Sequence, residues 1–135
     1  MSYLWVAIGG ALGSVARFWL NGIVSARLAA GATFPLGTLL VNVTGSFVIG
    51  VLAALTIPEG KMGSEGRAFV TQFLMIGICG GYTTFSSFSL QTLALIRDRE
   101  WAYAGGNVLL SVVLCLLATW FGFMLGLVLT STKGD

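Results

Sequence analysis

Histidine is absent from this chain of 135 residues, and charged residues make up only 9% of it. The acidic residues Glu59, Glu65, Asp98, Glu100 and Asp135 all fall in the polar segments that separate or follow the apolar runs. No general base sits inside an apolar stretch, which argues against enzymatic chemistry. The same lack argues against a proton-coupled drug exporter, because coupling within a membrane calls for a buried Asp, Glu or His that loads and releases a proton. Cysteine is scarce as well. Cys79 and Cys115 lie far apart in apolar stretches and form no C-x-x-C, so neither a zinc site nor a disulfide framework is indicated. Both read as small core residues. Net charge is +2 with no block of one sign, which gives no hint of a nucleic-acid surface or a polybasic lipid tether. No Lys or Arg precedes the first apolar run, so a cleaved signal peptide is not expected.

What is present is apolar length. Hydrophobic residues make up 56% of the chain and the mean hydropathy is +0.93. An ordinary soluble domain carries about 25% charged residues, and a soluble fold of this size and composition would be left with a large sticky surface. A bilayer removes that difficulty. A spanning helix needs about 20 mainly apolar residues, and four segments qualify, at about 3–26, 34–57, 68–96 and 101–130. The expected fold is therefore an all-α membrane protein, one domain over residues 1–135 with four transmembrane helices. A polar loop from Pro58 to Arg67 separates the second and third spans, and the run Arg97 to Glu100 closes the third. Trp5, Trp19, Trp101 and Tyr103 fall near predicted span ends, where aromatic belts sit.

Lys61, Arg67 and Lys133 lie on the side that holds both termini, and Arg27, Arg97 and Arg99 on the other, with Arg17 inside the first span. Positive charge in short loops normally decides orientation, and here the two sides balance. Either Arg17 breaks the tie, or the chain inserts both ways and pairs with an inverted copy as an antiparallel, dual-topology homodimer.

Within the apolar runs stand neutral polar groups. Thr38, Asn42 and Ser46 share one stripe of the second span at spacings of four. An Asn amide in hydrocarbon costs several kcal/mol unless paired, so Asn42 faces protein or water, as interhelical glue or as pore lining. In the fourth span Tyr103, Asn107 and Ser111 repeat that spacing and Cys115 and Thr119 continue it, although drift lets only some of them share a face. The third span carries Gly80 and Gly81 beside Thr83 and Thr84, which predicts a break at mid-membrane near 80–84. Carbonyls freed there suit a small alkali cation, or are satisfied by nearby hydroxyls. Phe85 and Phe88 follow on one helical face. Gly9 with Gly13 and Gly122 with Gly126 form G-x-x-x-G packing faces.

The run Gly80-Gly-Tyr-Thr-Thr-Phe-Ser-Ser-Phe-Ser89 resembles the signature of the CrcB/Fluc family of fluoride channels, G-G-x-T-T-F-S-T-F-S. Gly9-Gly-Ala-Leu-Gly-Ser-Val-Ala-Arg17 is similar to that family's glycine-rich first helix, and Gly37-Thr-Leu-Leu-Val-Asn42 to its G-T-L-x-V-N, so the resemblance covers essentially the whole chain. It implies a fluoride-selective channel rather than an enzyme. Passive fluoride export across the inner membrane would run through two pores per antiparallel homodimer, with a structural sodium ion at the dimer axis. Carried over, Gly80 and Thr83 would supply sodium's carbonyl ligands. Asn42, Thr84, Phe85, Phe88, Tyr103, Asn107 and Ser111 would line the ion pathway, and Arg17 would stand near a vestibule or brace the structure. Ser87, Asn107 and Gln91 depart from the family's usual threonine, serine and glutamate. A small multidrug exporter or another dual-topology carrier is the alternative, and a purely structural membrane subunit the next.

The residue types suit that ion. Fluoride is small and strongly hydrated, so a pore must replace its water with hydrogen-bond donors, while a full cationic charge inside would hold it too tightly for release. Amides and hydroxyls donate without carrying charge. The edge of a phenylalanine ring bears the positive part of its quadrupole.

Overall fold

The computed structural model describes residues 2–28, 30–57 and 62–131. The charges at Glu59, Lys61, Lys133 and Asp135, and Pro58 of the polar loop, lie outside them. Among the described residues the chain winds into five helices: α1 (Ser2–Arg27), α2 (Leu36–Leu55), α3 (residues 64–82), α4 (Phe85–Arg97) and α5 (Trp101–Ser131). Among the described residues, four helical stretches are long and apolar enough to cross a membrane: Ser2–Arg27, Leu36–Leu55, Ser64–Arg97 and Trp101–Ser131. Their outer faces are those of a protein built for lipid, since Val15, Phe18, Leu90, Leu109, Leu116 and Val128 are all exposed. In water such a surface would aggregate.

The third stretch begins at Ser64, inside the segment read from the sequence as loop. Gly63 takes an extended backbone before it, and Glu65 places an acidic side chain in the first turn. That charge favours the helix N-terminus. Winding then widens to the π form over Val70–Cys79, narrows at Gly80–Tyr82, and gives way to extended backbone at Thr83 (φ −77, ψ 157) and Thr84 (φ −151, ψ 112). Helix α4 restarts at Phe85, where the Thr84 hydroxyl accepts the Ser87 N–H at 3.1 Å as an N-cap. Arg99 closes α4 with a positive φ of 62, while the Glu100 N–H reaches back to the Leu95 carbonyl at 2.8 Å.

Lipid tails are as apolar as leucine, so helices associate through close packing rather than hydrophobic exclusion. The small residues make this possible. Gly50 of α2 lies against the Thr119 carbonyl and Gly122 of α5 against that of Phe47, so the two backbones cross where any side chain would collide with main chain. On the other side, Gly9 and Gly13 of α1 seat the backbone of residues 73–82, and Trp5 meets Phe69 and Phe73 edge-on at 5.1 and 5.6 Å. Helix α2 is thereby held between α5 and the end of α3.

Candidate functional site

The extended step at Thr83 and Thr84 sits against α2 because Gly45 leaves room for it: a Cβ there would meet Thr83 and the Tyr82 ring. One turn earlier, Asn42 clamps the step from both sides. Its Nδ2 donates to the Thr84 carbonyl at 3.1 Å, and its Oδ1 accepts the Thr84 N–H at 2.8 Å. Both bonds are part-buried, and an amide left unmet away from water would cost several kcal/mol. Thr44 adds a contact with the Tyr82 hydroxyl at 2.9 Å.

This clamp has a consequence for the carbonyls. In regular winding the Thr84 N–H would bond the Gly80 carbonyl and the Ser87 N–H that of Thr83. Here the first goes to Asn42 and the second to the Thr84 hydroxyl. Gly80 and Thr83 therefore both lose their usual main-chain donor.

A cleft of about 490 Å³ opens beside the step, and its lining includes Asn42, Gly80, Thr83, Thr84, Phe85, Phe88 and Ser111. Among the described residues, no Lys, Arg, Asp or Glu lines it. Ser111 is 8% exposed and its hydroxyl has no hydrogen-bond partner. Asn42 spends one amide hydrogen on Thr84 and keeps the second. The Phe85 and Phe88 ring centroids are 5.3 Å apart and inclined by 46°. Phe85 is 79% exposed, so within this chain it does not fill core.

Other sequence-predicted residues lie elsewhere. Asn107 is buried and donates to the Thr92 hydroxyl at 2.9 Å, which in turn donates to the Phe88 carbonyl at 2.8 Å. It braces α5 against α4 and does not line the cleft. Tyr103 is partly exposed with its ring 6.4 Å from Phe34. Arg17 is half-buried on α1, away from the cleft lining. Cys79, read from the sequence as core, is buried and borders the cleft, while Cys115, read the same way, is half-buried in its lining. Continuation of the spacing from Ser111 to Cys115 was the signal for the second; nothing in the pattern marked the first.

A second cleft, of about 350 Å³, lies where α1 and α4 end and α2 begins, with Asn21, Phe34, Thr38, Gln91 and Asp98 among its lining. Thr38 Oγ1 and Gln91 Oε1 are buried there without partners. Thr38 thus parts from Asn42 and Ser46, which share its stripe, because the stripe winds around α2.

Fold and cleft together define a multi-pass helical membrane protein with an uncharged, ring-edged cavity beside an extended main-chain step. The model of the family described as CrcB-like protein, Camphor Resistance (CrcB), matches residues 4–123. The chain is 58% identical to the fluoride-specific ion channel FluC of Opitutus terrae, over 98% of both chains. It is 53% identical to that of Methylocella silvestris, over 99% of both chains. Against the FluC of Rhodospirillum rubrum it is 53% identical over 90% of this chain and 92% of that one. The chain belongs to the CrcB-like family.

Proposed function

We propose that this protein is a fluoride-selective channel that lets fluoride leave the cell passively through its membrane, in a bacterium the inner membrane. The observation that carries this reading is the composition of the larger cleft. It gathers Asn42, Thr84, Phe85, Phe88 and Ser111 around one space and, among the described residues, admits no charged side chain. An ion entering it exchanges water for the free Asn42 N–H, the unpartnered Ser111 hydroxyl and the edges of two rings. None of these holds an anion strongly enough to trap it. The activity carried in the relatives' names supports the choice of fluoride.

The Thr83–Thr84 step is proposed to lie at mid-membrane, with one copy of the chain inverted against another. Exposure of Phe85 supports a partner or guest beyond the single chain. So does the even split of arginine and lysine across the two sides. Gly80 and Thr83 fit a structural sodium ion at the shared axis, since both carbonyls have lost their usual donor and oxygen is a hard ligand. Such an ion would supply a fixed positive charge near both pathways. From Ser111 the polar track continues through Asn107 to Tyr103, whose neighbour Phe34 lines the second cleft, proposed as the entrance. Arg17 is proposed to brace α1 or draw anions toward a vestibule.

Reconstitution tests the reading. Liposomes loaded with fluoride should release it without a pH gradient and retain chloride. Release that requires a proton gradient would favour the coupled carrier instead.

A further inference from the structure

We infer that the Cys115 thiol is a modification site for soft, thiophilic metal cations, and that its metallation closes the larger cleft. This rests on the channel reading proposed above, although formation of the adduct does not. Both free thiols of the described residues line the same cavity. Cys79 is 3% exposed, whereas Cys115 is half-buried. A second, independent observation points into the same space: the Ser111 hydroxyl, on the turn of α5 before Cys115, is buried with no partner. A group attached at Cys115 therefore lies over the unpartnered donor assigned to the passing ion, because residues four apart on a helix are neighbours.

The chemistry is a ligand substitution and needs no oxidant. Thiolate is the soft ligand that such cations select. With mercuric chloride the S–H bond and one Hg–Cl bond break, a sulfur–mercury bond forms, and the proton and the displaced chloride pass to solvent. The neutral S–Hg–Cl group fills space in front of the Ser111 hydroxyl. That obstruction opposes conduction.

The test uses the full-length protein in liposomes, mercuric chloride as probe, and two readouts: fluoride release, and intact-protein mass with peptide mapping. Treatment should reduce release to the protein-free leak and place mercury on Cys115, and excess dithiol should restore release. For each variant the readout is the ratio of treated to untreated release. Cys115→Ser should be unaffected by mercury and Cys79→Ser should remain sensitive. A Cys115→Ser or Cys115→Ala protein as sensitive as the parent, or a mapped chain without mercury on Cys115, overturns the assignment. Mercury on Cys115 in protein that never released fluoride would uphold the modification site and sink the channel reading instead.

Discussion

Asn42 shows how residue-level chemistry combines two tasks. Its two bonds to Thr84 hold the extended step, and the residue also lines the cleft with one amide hydrogen left over. Substitutions separate the tasks. Asn42→Ala leaves the Thr84 N–H without its acceptor and should cost about 1–3 kcal/mol of stability, as buried unsatisfied donors do. Thermal unfolding in detergent checks this, and an unchanged Tm would remove the clamp. Asn42→Asp keeps an acceptor for the Thr84 N–H but turns an anionic oxygen toward the path. Fluoride efflux should fall by about tenfold or more, equivalent to ~1.4 kcal/mol on the barrier. Robust efflux would leave Asn42 a brace alone. The sequence stripe marked Asn42 as facing protein or water; its partner was invisible, because a main-chain group 42 positions away becomes the neighbour only after folding. Asn107 illustrates the same limit, since its spacing gave no sign of the hydrogen bond it makes to Thr92 on another helix.

Helical elements were more legible than their contacts. Hydropathy marks a membrane-crossing helix because every such residue faces either lipid or another apolar surface. The π winding of Val70–Cys79 left no mark in composition, because the same apolar residues suit either winding. Packing between α2 and α5 was partly visible in Gly122 and Gly126, but their mate Gly50 required the structure. Gly50→Leu should be severely disruptive. Its side chain would run into the Thr119 main chain, and overpacking of this kind costs typically about 1–3 kcal/mol. Loss of the folded peak in size-exclusion chromatography, or a lowered Tm, is expected; wild-type behaviour would contradict the crossing. Thr119→Ser, which leaves that main chain in place, should be tolerated.

For the molecule as a whole, neutral polarity is the organising feature. Charge lies at the ends of the spans apart from Arg17, and the larger cleft works with dipoles and ring edges. The balance of positive charge at the two ends predicts insertion in both orientations. A C-terminal tag tested for access in intact and permeabilised cells should be found on both faces, and a tag on one face only would remove dual topology. The account depends most on fluoride passing between Asn42, Ser111 and the two phenylalanines. The direct measurement is fluoride release from liposomes containing purified Phe85→Ile or Phe88→Ile that elutes in size-exclusion chromatography as the parent does; both keep apolar bulk and lose the ring edge. Release should slow sharply in both; parental rates in both would place the conducting path elsewhere.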